Sequence, residues 1–90
     1  MNRAELMAEI DGAQSSIDTI HREDEAPAMA DFRALKAREE KAIEAGDFAE
    51  VEAIRPQKAS TLGRLHAACR RKLPHELRLR DLRVAIANIS

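Results

Sequence analysis

Apolar residues recur at both ends of this chain with the period of an α-helix. Leu6, Ile10, Ala13, Ile17 and Ile20 step by 4, 3, 4 and 3, and Leu79, Leu82, Ile86 and Ile89 step by 3, 4 and 3. Such spacing places side chains along one stripe of a helix and does not fit the alternation of a half-buried strand. The residues between agree. Ala, Glu, Arg and Leu dominate, Trp and Tyr are absent, and the aromatics are Phe32 and Phe48 alone. Helix formers are abundant and strand formers scarce, so an all-α fold in a single domain over residues 1–90 is expected.

Capping and breaking residues divide the chain. Asn2 with Glu5 three positions on has the form of a capping box at the start of the first helix. Gly12 and the pair Ser15 and Ser16 weaken that helix internally, so packing must hold it. The run Glu23, Asp24, Glu25 suits a helix N-terminus better than a C-terminus, and Pro27 suits a first turn. This predicts a stop at "REDEAP" and a second helix from Pro27 to Ala45, with Met29, Phe32, Leu35 and Ile43 inward, Glu39 interrupting the stripe, and Lys36 paired with Glu40 outside.

Gly46 is placed to end that helix in the left-handed conformation, and Asp47 with Glu50 predicts a new N-cap. Phe48, Val51 and Ile54 mark the inner face of the third helix. Pro56 would then remove a donor and crowd the carbonyl of Glu52, costing about 3 kcal/mol in a straight helix. A kink or break near Pro56 is therefore expected. Beyond it the inward series reads Ala59, Leu62, Leu65, Ala68 or Cys69, and Leu73, until Pro74 marks another start. The expected architecture is a small bundle of three to five helices built from antiparallel hairpins. A domain of this size buries only about 60–65% of the surface its unfolded chain exposes, which favours marginal stability or a partner subunit, a homodimer included.

Net charge is −1 over the whole chain but divides unevenly. Residues 1–45 hold six Lys or Arg against eleven acids, and residues 46–90 hold nine bases against five acids. The split can join the two halves or present a basic face to an acidic partner. The plainer expectation is two solvated faces that partly neutralise each other.

Little here suggests site chemistry. His66, Cys69 and His75 fall short of the four ligands and spacing of a closed zinc site, so no metal is expected, and Cys69 is expected to pack as a small buried apolar side chain. The carboxylates lack a glycine-rich loop, a nucleophile motif or an aromatic-lined pocket, which predicts neither an enzyme nor a cofactor. One cysteine closes no intrachain disulfide, no signal-peptide core follows the N-terminus, and no run reaches membrane-spanning length. A cytoplasmic protein without membrane contact is the simplest expectation.

Two surfaces remain as candidates. An apolar one comprises Val51, Ile54, Leu62 and Leu65 with the terminal stripe Leu79, Leu82, Ile86 and Ile89, suited to holding a helix of another protein, the terminal stripe alternatively completing the core. A basic one comprises Arg64, Arg70, Arg71, Lys72, Arg78, Arg80 and Arg83, which could neutralise phosphates of a nucleic acid, although no aromatics accompany it for base stacking.

The segment "REEKAIEAGDFAEVEAIRPQKASTLGRLHAA", through Glu39, Glu40, Ala42, Gly46, Asp47, Val51, Ile54, Lys58, Leu62 and Leu65, resembles the FlgN and FliT families of flagellar export chaperones. It covers about a third of the chain. The resemblance implies a cytoplasmic all-helical chaperone or adaptor that holds C-terminal helices of its client proteins. The chain is shorter than a typical FlgN, and Pro56 interrupts the matching helix. A nucleic-acid binder and a small inhibitor or regulator carried by a mobile element are the alternatives.

Overall fold

The computed structural model describes residues 1–89. Helix α1 (Arg3–Ile20) runs through a single π-helical stretch (His21–Glu25) into α2 (Ala26–Glu44), and α3 (Phe48–Ile89) returns antiparallel to both. All described secondary structure is helical, as expected, but the three-to-five-helix bundle is not formed. The chain is a two-armed hairpin measuring 63 × 18 × 16 Å. Its radius of gyration is 19.5 Å, against about 12 Å for a compact domain of this length.

Local chemistry sets the ends. Asn2 accepts from the Glu5 N–H at 2.9 Å, and the Glu5 carboxylate accepts from the Asn2 N–H at 3.5 Å, completing the capping box. At the hairpin tip Gly46 adopts φ 66°. The Asp47 N–H then donates to the Ala42 carbonyl at 2.8 Å and the Gly46 N–H to the Ile43 carbonyl at 3.1 Å, which is the Schellman arrangement. Asp47 turns at once to α3, its side chain accepting from the Glu50 N–H at 3.1 Å. One three-residue connection therefore closes α2 and caps α3.

Three expected breaks are absent. "REDEAP" does not stop the first helix. The Ala26 N–H donates to the His21 carbonyl, five residues back, so this turn absorbs one extra residue. The consequence is visible in the inward stripe. Continued by the same steps from Ile20, it would reach Asp24, Pro27, Asp31, Ala34 and Arg38; after the π turn it instead follows Glu25, Ala28, Phe32, Leu35, Glu39 and Ala42. One inserted residue thus exchanges a charged line for a largely apolar one.

Nor do Pro56 and Pro74 break α3, which contains both in 42 continuous helical residues. At about 1.5 Å per residue such a helix spans roughly 63 Å, the length of the molecule. The reason is the inner seam of α3: Val51, Ile54, Lys58, Thr61, Leu65, Ala68, Lys72, His75, Leu79, Leu82 and Ile86 alternate steps of 3 and 4 without interruption. All are buried or half-buried, whereas Pro56, Pro74 and the residues four before them, Glu52 and Arg70, are exposed. The carbonyls deprived of a donor therefore lie on the wet side, and packing along the seam holds the rod.

This seam corrects the expected inner face. Ala59, Leu62, Cys69 and Leu73 are exposed, as are Ile43 at 55% and Phe48 at 71%. Cys69 is not packed away: it lies on the surface and its thiol donates to Glu25 across 3.6 Å. Lys36 and Glu40 form no ion pair among the described residues. Among the described residues, Ile54 is the one large side chain that is completely buried.

Candidate docking face and inter-arm ion pairs

The charge split appears as ion pairs across the hairpin. Arg64 reaches Asp31 at 2.7 Å, Lys58 reaches Glu39 at 2.9 Å, Lys72 reaches Glu25 at 2.8 Å, and Arg71–Asp24 and Arg78–Glu9 complete five pairs with the base on α3 and the acid on the other arm. Arg38–Glu50, at 2.6 Å, runs the other way. The three arginine pairs of α3 remain solvated, so these faces partly neutralise each other as expected, while the two lysine pairs are largely covered.

Two of these pairs sit in the seam. Lys58 and Glu39 are half-buried, with the Lys58 ammonium 5.7 Å from the centre of the Phe32 ring, so the stem covers apolar surface while the head finds its acid. Lys72 and Glu25 meet at the π turn, where His21 Nδ1 lies 2.6 Å from the same carboxylate. The hydrogen bond from Lys72, then that from His21, holds the Glu25 carboxyl down at about 2 from its ordinary 4.5, and the bond to Glu25 raises Lys72 above its ordinary range. Polar pairs at such positions fix which residues face each other along a helical seam. Among the described residues, no group of three His, Cys, Asp or Glu is arranged to hold a metal ion.

Of the apolar candidates, Val51, Ile54, Leu79 and Leu82 are buried between the arms, and Leu65 and Ile86 are half-buried there. Leu62 and Ile89 remain open to solvent. Of the basic candidates, Arg64, Arg71, Lys72 and Arg78 are engaged with the opposite arm and Arg80 lies 3.4 Å from Asp81. Arg70 and Arg83 form no ion pair among the described residues.

Two residues of the expected inward series, Leu62 and Leu73, lie instead with Val84 on an uncovered face. Leu62, Leu73 and Val84 are 38%, 52% and 57% exposed. They lie 11 residues apart, three turns with a drift of only about 20°, so they share one face of α3. Leu77 and Cys69, also exposed, flank them. The 11-residue spacing was the available signal. It is hidden because Leu62 and Leu73 also fit the inward series expected after Pro56.

The chain matches no protein-family model, no curated protein and no solved structure. No described helix is long and apolar enough to cross a membrane.

Proposed function

We propose that this chain is a non-enzymatic protein-binding module that packs a helix of another polypeptide against the outer face of α3. The observation that carries this reading is the Leu62–Leu73–Leu77–Val84 stripe, apolar and exposed along a helix whose other side is already occupied. Apolar residues at helical spacing on a rigid rod are what helix-on-helix recognition uses. The chaperone or adaptor role implied by the flagellar-chaperone resemblance is of this class, and a cytoplasmic site of action accompanies it. The basic candidates support nucleic-acid binding less, because four of the seven are committed to carboxylates of the opposite arm.

The test is affinity capture from lysate of the source organism, with and without nuclease, at low and high salt, beside a Leu73→Glu, Val84→Glu variant. A protein retained after nuclease and in high salt, and lost with the variant, is the expected result. Nucleic acid recovered only from the untreated low-salt sample would overturn the proposal, since phosphate contacts weaken steeply with salt.

A further inference from the structure

We infer that the helix seated on this face is α3 of a second copy of the chain, antiparallel, with a two-fold axis through Leu73. This deepens the protein-binding reading and rests on it. An isologous interface requires that if residue i meets residue j, j also meets i. In an antiparallel helix pair centred on Leu73, the two positions that meet lie equally far on either side of it. The exposed stripe has this symmetry. Leu62 and Val84 lie 11 residues before and after Leu73, and Cys69 and Leu77 lie 4 before and after. Ala59 and Ala87, 14 either side, extend the match with two small residues. All fall within an arc of about 80° centred on Leu73, rotated by about 120° from the inner seam at that level.

Charge follows the same symmetry. Arg70 and Glu76, 3 before and after Leu73, form no ion pair within the hairpin among the described residues. In the dimer each Arg70 meets the partner's Glu76, twice over. His66 meets the partner's Arg80, whose charge is already shared with Asp81. An unrelated helix would have no reason to match a palindromic stripe; a second copy matches it automatically.

Surface area agrees. The chain exposes 6128 Å², whereas a compact monomer of its mass exposes about 5,200 Å². The excess, about 900 Å², belongs to the elongated hairpin, which leaves the outer face of α3 uncovered, and a stable interface takes roughly 800 Å² from each partner. The register leaves the hairpin tip, with Ile43 and Phe48, outside the pair.

Sedimentation and chemical crosslinking of the full chain test this. The wild-type protein is expected to be a dimer at micromolar concentration. Leu73→Glu should weaken association about 100-fold or more, because a charge enters the centre of the interface from both copies, while circular dichroism remains helical since Leu73 is half exposed in the hairpin. Arg70→Glu should weaken it about tenfold, and Arg70→Glu with Glu76→Arg should restore it. In a Cys69→Ser background, Leu73→Cys should crosslink with itself through a short bismaleimide. Leu62→Cys and Val84→Cys should each fail alone and crosslink when mixed. The native Cys69 residues would lie about 12 Å apart along the axis, so oxidation should not join them. A wild-type monomer at 100 µM (roughly the upper end of specific self-association), or self-crosslinking of Leu62→Cys alone, would overturn the inference. If that monomer still captures a protein partner that Leu73→Glu releases, the protein-binding reading survives; if it captures none, both fail.

Discussion

Along the inner face of α3, Lys58, Thr61, Lys72 and His75 interrupt the apolar positions and are nonetheless buried or half-buried; along the outer face, Leu62, Leu73, Leu77 and Val84 are apolar and stand in water. Hydropathy alone does not separate the two faces, since the inner one also carries Val51, Ile54, Leu65, Leu79, Leu82 and Ile86 and the outer one His66 and Arg80. Burial within the chain follows the face that a partner arm can cover continuously, and polar residues are accepted there when their polar atoms find a partner. Thr61 does so within its own helix, donating to the Gln57 carbonyl at 2.9 Å. Lys58 and Lys72 do so across the seam, to Glu39 and Glu25.

The strongest way to break this contrast is to shift one arm by a residue. Deleting Lys36, exposed in mid-α2, would move Glu39 and Ala42 off the seam, and we expect loss of the cooperative thermal transition followed by circular dichroism. Deleting Glu23 from the π turn should leave the fold intact, because an α-helical turn then carries the stripe from Ile20 directly to Glu25. Comparable collapse of both deletions would show that the π turn is more than an absorbed residue.

Next in size is the inner apolar side of the comparison. Ile54 is 0% exposed, and Ile54→Ala should cost about 2–5 kcal/mol, read from urea denaturation. Smaller is the polar inner side. Lys72→Met should cost about 1–3 kcal/mol by leaving Glu25 with a poorer set of partners. Adding Glu25→Leu should recover most of that loss, since an apolar pair of similar volume can replace a half-buried ion pair.

The same pair predicts a pH dependence. Glu25 has a folded pKa of about 2 against an ordinary 4.5, so its contribution is complete above 4.5 and is lost as pH falls towards 2. Lys72 is raised, so its contribution is complete below its ordinary 10.5 and is lost as pH climbs through the higher folded value. Acid and alkaline titration of stability should therefore flatten in the Glu25→Leu, Lys72→Met protein. The smallest effect is expected on the outer face. Leu62→Ser, measured at concentrations where the chain is monomeric, should change hairpin stability by less than about 0.5 kcal/mol; a larger loss would place that face in the fold itself.

Much of the local structure could be read from residues. The capping box at Asn2 and Glu5, the left-handed Gly46 and the Asp47 cap all form as expected, because each depends on a few neighbouring groups. The stripes Leu6 to Ile20 and Leu79 to Ile86 likewise face inward. No helix ends at "REDEAP", Pro56 or Pro74, for a common reason. Each is a local penalty of a few kcal/mol, and a seam tens of residues long outweighs it. The candidate site was misread with them: once Ala59, Leu62 and Leu73 are taken as interior, the exposed stripe they form cannot be seen.

Sequence by itself determined that this chain is helical, that Gly46 and Asp47 form a turn and which arm is acidic and which basic, since helix period, capping and charge act over a few residues. Only the tertiary structure decided that two arms replace a bundle, that prolines and a π turn lie inside continuous helices, and that Leu62, Leu73, Leu77 and Val84 of α3 face outward. Those outcomes depend on which face meets the other arm along some 40 residues at once, and that sum is a property of the paired arms rather than of any stretch of sequence.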